Sequence, residues 1–223
     1  MRTLAVIALK GGSGKSTVAT HLALAAHLRG VDTMVADIDP QHSSYEVLNA
    51  RAGSGPDCLA SSGPRLLAAQ LAAVGLRKEL LIIDTAAGAV EDVSEAIVLA
   101  DAAVMVVRPT LLDIAALART LAIVRRLNKP CTVVVNQAPV AREGVEAPVV
   151  KRALRALDYM QLPVAPVIVR ARSIYQTALE TGRSAEEMSD SAAAAEIAAL
   201  WSFIQGEVLG IPADTDLPGW TGT

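Results

Sequence analysis

The stretch Leu9-Lys10-Gly11-Gly12-Ser13-Gly14-Lys15-Ser16-Thr17 decides how the rest of the chain is read. Three glycines in four positions let backbone N–H groups turn toward one point, and such a concave row of donors binds anionic oxygens. An apolar run, Leu4–Leu9, comes just before it, and an amphipathic stretch, Ser16–Leu28, just after. Strand, glycine loop and helix N-terminus in that order form a phosphate site, because the helix adds the positive end of its dipole. Lys15 then supplies a point charge to the β- and γ-phosphates of a bound ATP or ADP, and the Ser16 hydroxyl can ligate Mg²⁺. Gly11, Gly12, Ser13, Gly14 and Thr17 complete the nucleotide-binding set. The frame departs from G-x-x-x-x-G-K-[ST] at its first position, where Leu9 replaces the usual glycine, and it carries a second lysine, Lys10. Two ammonium groups on one short loop repel each other, so Lys10 makes sense where it reaches another phosphate, for instance in a facing subunit.

Outward from the loop, short apolar runs alternate with helical stretches. The predicted strands are Leu4–Leu9, Thr33–Asp37, Leu80–Asp84, Ala103–Val107, Thr132–Asn136 and Val164–Val169. They are nearly continuous in Val, Ile, Leu and Ala, as parallel strands covered on both faces require. The predicted helices are Ser16–Leu28, Arg65–Val74, Val90–Leu99, Ile114–Leu127, Ala147–Leu157, Ser173–Thr181 and Ala192–Glu207. This alternation implies βαβ units in an α/β fold, a doubly wound, mostly parallel sheet with helices on both faces. Residues 1–209 read as a single domain and 210–223 as a flexible tail in which Trp220 can dock, while Ala50–Gly63 reads as a surface loop.

Composition narrows the function. The 223 residues carry 20 Lys+Arg against 23 Asp+Glu, a net charge of −3, and 52% are hydrophobic. Disorder throughout is excluded, and so is a protein that is basic throughout. The two cysteines, Cys58 and Cys131, are too few for a disulfide framework and suit neither a zinc module nor a shared iron–sulfur cluster. No apolar run approaches the ~18–20 residues that span a bilayer. The opening Arg2–Leu9 is too short for a secretory leader, so the sequence reads as a soluble cytoplasmic protein. His21, His27 and His42 show no metal spacing, and Trp201, Phe203 and Ile204 read as core or docking residues.

Two acidic segments complete the chemistry. Asp37-Ile38-Asp39-Pro40-Gln41 closes the second predicted strand, where alternation points Asp37 and Asp39 the same way, toward the carboxyl edge that binds ligands in open α/β sheets. One carboxylate can support a Mg²⁺ shell while the other orients a water for in-line attack. Leu80-Leu81-Ile82-Ile83-Asp84 is an apolar strand ending in an acid, the arrangement that holds Mg²⁺ through water.

Taken together these residues resemble the ParA/MinD family of ATPases with a deviant Walker A loop, and the resemblance covers almost the whole chain. It implies that Lys10 crosses a dimer interface to the partner's nucleotide, that Asp39 activates water and that Asp37 supports the metal shell. Lys10, Lys15 and Asp39 are the catalytic set under this resemblance, and Ser16, Asp37 and Asp84 the metal set. Arg108-Pro109-Thr110 with Asp113 resembles the family's P-S-x-x-D turn. Asn136 stands where relatives place an asparagine against adenine, and Arg170–Leu179 with Gly182 and Ser184 is similar to their late segment. Ala86 and Ala87 stand where relatives usually carry two prolines, which implies a more flexible loop there. The chain starts directly at its first strand, like the small, ParF-like members. The resemblance further implies slow, partner-stimulated ATP hydrolysis coupled to an ATP-bound homodimer. That dimer would bind duplex DNA non-specifically and serve DNA partition or cargo positioning with a ParB-like centromere-binding or adaptor protein, at the nucleoid. Lys151, Arg152 and Arg155 on one predicted helix, with Arg170 and Arg172, are the candidate DNA contacts. The last helix is not basic, which argues against a membrane-targeting helix. The alternatives are an ATP-dependent small-molecule ligase or kinase of the same superfamily, a nitrogenase-reductase-like electron carrier and a non-catalytic DNA-bound scaffold.

Overall fold

Strands without a polar face need cover on both sides, and the chain supplies it. The computed structural model describes residues 1–88 and 90–211. Most of the expected tail, including Trp220, lies outside the described residues. The strands are β1 (Arg2–Ile7), β2 (Thr33–Asp37), β3 (Asp57–Ala60), β4 (Leu80–Asp84), β5 (Ala102–Val107) and β6 (Cys131–Val135). The α-helices are α1 (Lys15–Leu28), α2 (Ser43–Asn49), α3 (Leu66–Gly75), α4 (Val90–Leu99), α5 (Leu111–Arg126), α6 (Pro148–Tyr159), α7 (Ile174–Leu179) and α8 (Ser191–Phe203). The six strands form one sheet in the order β3-β2-β4-β1-β5-β6, and every ladder is parallel.

Alternation along each strand divides the core in two. Ala5, Ile7, Leu81, Ile83, Met105 and Val135 pack with residues of α3, α4, α5 and α6. Leu4, Val6, Val35, Leu80, Ile82, Val104 and Val134 pack with α1 and α8 on the other face. Burying each such Leu, Ile or Val stabilises the fold by roughly 1.5–3 kcal/mol. Helix α1 is rich in alanine at Ala19, Ala23, Ala25 and Ala26, all buried, so it fits between the sheet and α8. Caps fix two helix starts: Asp190 accepts from Ala192 N and Ala193 N at α8, and Thr110 accepts from Asp113 N at α5.

Three sequence expectations are corrected. Val164–Val169 is not a ladder strand. It runs beside β6 through single bridges and scattered hydrogen bonds, such as Val133 N to Pro163 O and Ala165 N to Val133 O, both 2.8 Å. Pro163 and Pro166 have no N–H to donate, so no continuous ladder can form. The sixth strand is instead β3, inside the expected loop Ala50–Gly63. Its four residues carry too little apolar signal to announce a strand; its ladder with β2 and its contact with α2 hold it. Helix α2 was also not expected, and the last helix becomes a π-helical turn at Ile204–Val208 rather than running on as an α-helix.

An ion-paired knot ties the turn after α2 to the segment before α8. Arg51 makes two 2.8 Å bonds to Glu187 and one of 2.9 Å to Gly182 O. Ser184 and Glu187 close a capping box beside it. Gly182 has φ +65°, and a Cβ there would meet the Arg51 backbone at 2.6–2.7 Å. Gly182→Ala is therefore expected to destabilise the protein by about 2–4 kcal/mol, read as a lower urea midpoint with an unchanged slope.

Candidate functional site

The strand order brings the predicted chemistry to one edge. β1 lies between β4 and β5, so the loop after β1 opens beside the carboxyl ends of β4 and, one strand further, β2. Asp37 and Asp84 are register partners at those ends. The glycine loop leads into α1 through Gly14, whose φ of +86° puts it in the left-handed region. A Cβ at Gly14 would collide with the Asn136 side-chain amide, which donates to Ser13 O at 2.8 Å. Gln137 donates to Gly12 O at 3.1 Å. The segment after β6 thus braces the loop from outside.

Lys15 is buried at the start of α1. Burial pulls its ammonium below the ordinary lysine value, and the charges of Asp84 and Asp39 draw it back up. Asp84 is wholly buried. Its carboxyl is pushed up to about 7, first by burial and then by the charge of Asp37, while hydrogen bonds from Ser44 and Ser16 and the charge of Lys15 oppose the rise. Ser44 Oγ donates to Asp84 Oδ2 at 2.7 Å and lies 3.0 Å from Thr20 Oγ1. Among the described residues Asp84 Oδ1 is buried with no hydrogen-bond partner. A carboxylate with a free buried oxygen, next to a serine hydroxyl and a phosphate loop, fits a hydrated Mg²⁺.

Asp37 and Asp39 do not continue one alternation, because β2 ends at Asp37. Asp37 is buried, and its two oxygens accept from Asp39 N at 3.1 Å and Tyr45 N at 3.0 Å. Burial raises its carboxyl, and these amide bonds restrain the rise. Asp37 therefore shapes the turn that presents Asp39, which is half-buried with Oδ1 accepting from Gln41 N at 2.9 Å.

Lys10 has a different partner from Lys15. Its Nζ lies 3.0 Å from Asp113 Oδ2, and Arg108 Nε lies 3.0 Å from Asp113 Oδ1. Thr110 Oγ1 donates a short bond to the same carboxylate. Burial raises Asp113, but the bonds from Arg108, Thr110 and Lys10 outweigh it and hold the carboxyl below its ordinary value.

The candidate DNA contacts divide. Arg170 is paired with Glu146 at 2.6 Å and Arg172 with Glu196 at 2.8 Å. Both arginines line a cavity of about 370 Å³ with Thr17, Asn136, Gln137 and Tyr175, beside the loop. Lys151, Arg152 and Arg155 are exposed on α6, and none forms an ion pair among the described residues. A wider cavity, about 1210 Å³, opens at the other end of the strands between Arg2, Arg77 and Trp201, far from these groups. Sequence reasoning missed Ser44, Thr20 and Gln137. Ser44 lies in a helix that no periodicity announced, and only Gln137's position after Asn136 offered a signal.

Among the described residues no helix is long and apolar enough to cross a membrane. No curated protein sequence matches the chain. Solved structures do. A McdA variant from Cyanothece solved with ATP is 19% identical, with a TM-score of 0.79 over 98% of this chain and 99% of that one. The cell division ATPase MinD of Pyrococcus furiosus is 18% identical, with a TM-score of 0.74 over 92% and 99%. MinD of Pyrococcus horikoshii with Mg-ADP is 15% identical, with a TM-score of 0.70 over 91% and 95%. At these identities the likeness establishes the fold, a P-loop α/β sheet. The family assignment comes from the sequence profile described as CbiA, the CobQ/CobB/MinD/ParA nucleotide binding domain, which matches residues 4–185, from β1 to just beyond Ser184. Phosphate loop, acid-ended strands and profile agree: the chain belongs to the CobQ/CobB/MinD/ParA nucleotide-binding family.

Proposed function

We propose that the protein is a Mg²⁺-dependent ATPase whose ATP-bound form is a homodimer, with Lys10 of each subunit reaching the nucleotide of the other. The observation that carries this reading is that two lysines on one loop have different acidic partners. Lys15 is buried within the fields of Asp84 and Asp39, whereas Lys10 is held by Asp113 at the start of α5. The structures of McdA with ATP and MinD with Mg-ADP support nucleotide as the ligand.

Within a subunit, the Gly11–Gly14 amides and the start of α1 bind the phosphates, and Lys15 places its ammonium on the β/γ bridge. Ser16 and, through water, Asp84 hold Mg²⁺, with Asp37 behind them. When bound there, Mg²⁺ would neutralise phosphate charge. Asp39 orients the attacking water. The 370 Å³ cavity beside Thr17 takes the base, with Asn136 at its wall. Such a site turns over slowly until a partner completes it.

The dimer would serve as a positional switch on DNA or on an adaptor protein of the ParB kind, in partition or cargo positioning. Lys151, Arg152 and Arg155 carry the DNA reading, because they are exposed and form no ion pair among the described residues, and a dimer doubles the patch. The test is the ATPase rate with and without duplex DNA. A rate that responds to a small metabolite and ignores DNA would favour a ligase or kinase instead.

Lys15→Ala should weaken ATP binding about 100-fold by calorimetry, whereas Lys10→Ala should keep nucleotide affinity and lose the dimer peak formed with ATPγS in sizing chromatography. Asp84→Asn should abolish turnover yet raise the thermal unfolding midpoint in chelator. The sign follows from the raised carboxyl: the fold holds the Asp84 proton up to about 7, so the cost of a buried charge is complete above that pH and vanishes as pH falls toward 4. The gain should thus be larger at pH 8 than at pH 5. Changing Arg152 and Arg155 together to Ala should weaken duplex binding and lower the slope of log K against log salt by roughly 2 per subunit.

A further inference from the structure

Asp113 holds more positive charge than it needs. Its side chain is 1% exposed, yet two cations, Lys10 and Arg108, lie 3.0 Å from its two oxygens. One counter-cation satisfies a buried carboxylate, and an unpaired one is strongly unfavourable.

The two cations are attached differently. Arg108 stands five positions before Asp113, at the end of β5, and a second contact, Nη2 to Oδ2 at 3.3 Å, gives it a forked grip. With Thr110 it closes a local ring on the carboxylate. Lys10 arrives from the loop after β1, 103 positions away in sequence, on a flexible stem and through one contact. Arg108 therefore belongs to the turn, and Lys10 is the cation that can leave.

We infer that Arg108 is a positioning residue for dimerisation: Asp113 stores Lys10 in the single subunit, and Arg108 keeps that carboxylate neutralised when Lys10 moves to the partner's nucleotide. This rests on the cross-subunit reading of Lys10. Without Arg108, freeing Lys10 strands a buried charge, so the subunit holds its own lysine. Arg108 also lies near the loop, since a Cβ on Gly12 would sit 3.8 Å from its Nη1, so a direct phosphate contact is the competing explanation.

A double-variant cycle separates the two. Dimer dissociation constants are measured by analytical ultracentrifugation with ATPγS, and ADP affinity by calorimetry shows that each variant is folded with an intact loop. Arg108→Ala should weaken the dimer roughly tenfold or more, whereas Arg108→Lys should stay within about threefold of wild type. Asp113→Asn should tighten the dimer, because nothing stores Lys10. The double variant Arg108→Ala/Asp113→Asn should recover at least wild-type affinity, because no buried charge remains to strand. Wild-type dimerisation by Arg108→Ala, or a double variant as weak as Arg108→Ala, overturns the inference, the latter in favour of direct contact. Should Arg108→Ala fail to bind ADP, Arg108→Gln takes its place in the cycle with the same outcomes. Lys10→Ala is the control for the underlying reading. If it dimerises normally, the cross-subunit role falls and the inference with it; if it stays monomeric while the double variant stays weak, the inference alone falls.

Discussion

An ion removed from water must find an opposite charge, and the carboxyl edge of this sheet is organised around that constraint. Lys15, Asp84 and Asp37 are all buried there, within reach of one another's fields. Their balance is incomplete: among the described residues Asp84 keeps one oxygen without a partner, and Lys15 is drawn below its ordinary value by burial. A polyanion bound with a divalent cation would settle both, giving the ammonium an anionic partner and the carboxylate a cationic one. The fold thus carries an electrostatic deficit whose shape is complementary to its proposed ligand.

Topology sets where this deficit appears. Because β1 is central and its neighbours come from distant parts of the chain, one loop is surrounded by acids from β2 and β4 and by a basic turn after β5. The two lysines of the loop then fall under different influences, one under the β4 acid and the other under Asp113. A single loop can in this way serve binding and association with separate side chains.

Much of this was legible in the sequence because local chemistry forced it. Gly11, Gly12 and Gly14 permit the loop, the unbroken apolar run of β4 requires two covered faces, and an acid at its end requires a cation. The partnership of Lys10 with Asp113 and Arg108 was not legible, because only the adjacency of β1 and β5 makes it, and no spacing encodes adjacency. Ser44 was missed because α2 is a single short helix held by tertiary contacts and by the Asp37 carboxylate at its start. The run Val164–Val169 shows the reverse error: its composition suits a strand, but its prolines remove the donors that a ladder needs.

That proline-interrupted run has an outcome for assembly. It lies along the outer margin of β6, where exposed amides and carbonyls would otherwise invite another chain to add on. The opposite margin, β3, offers only four residues and opens with Asp57, which is paired to Lys78. Neither border suits lateral growth of the sheet from molecule to molecule, so any larger polymer this protein builds has to be stitched through its helical flanks and loops rather than by joining main chains.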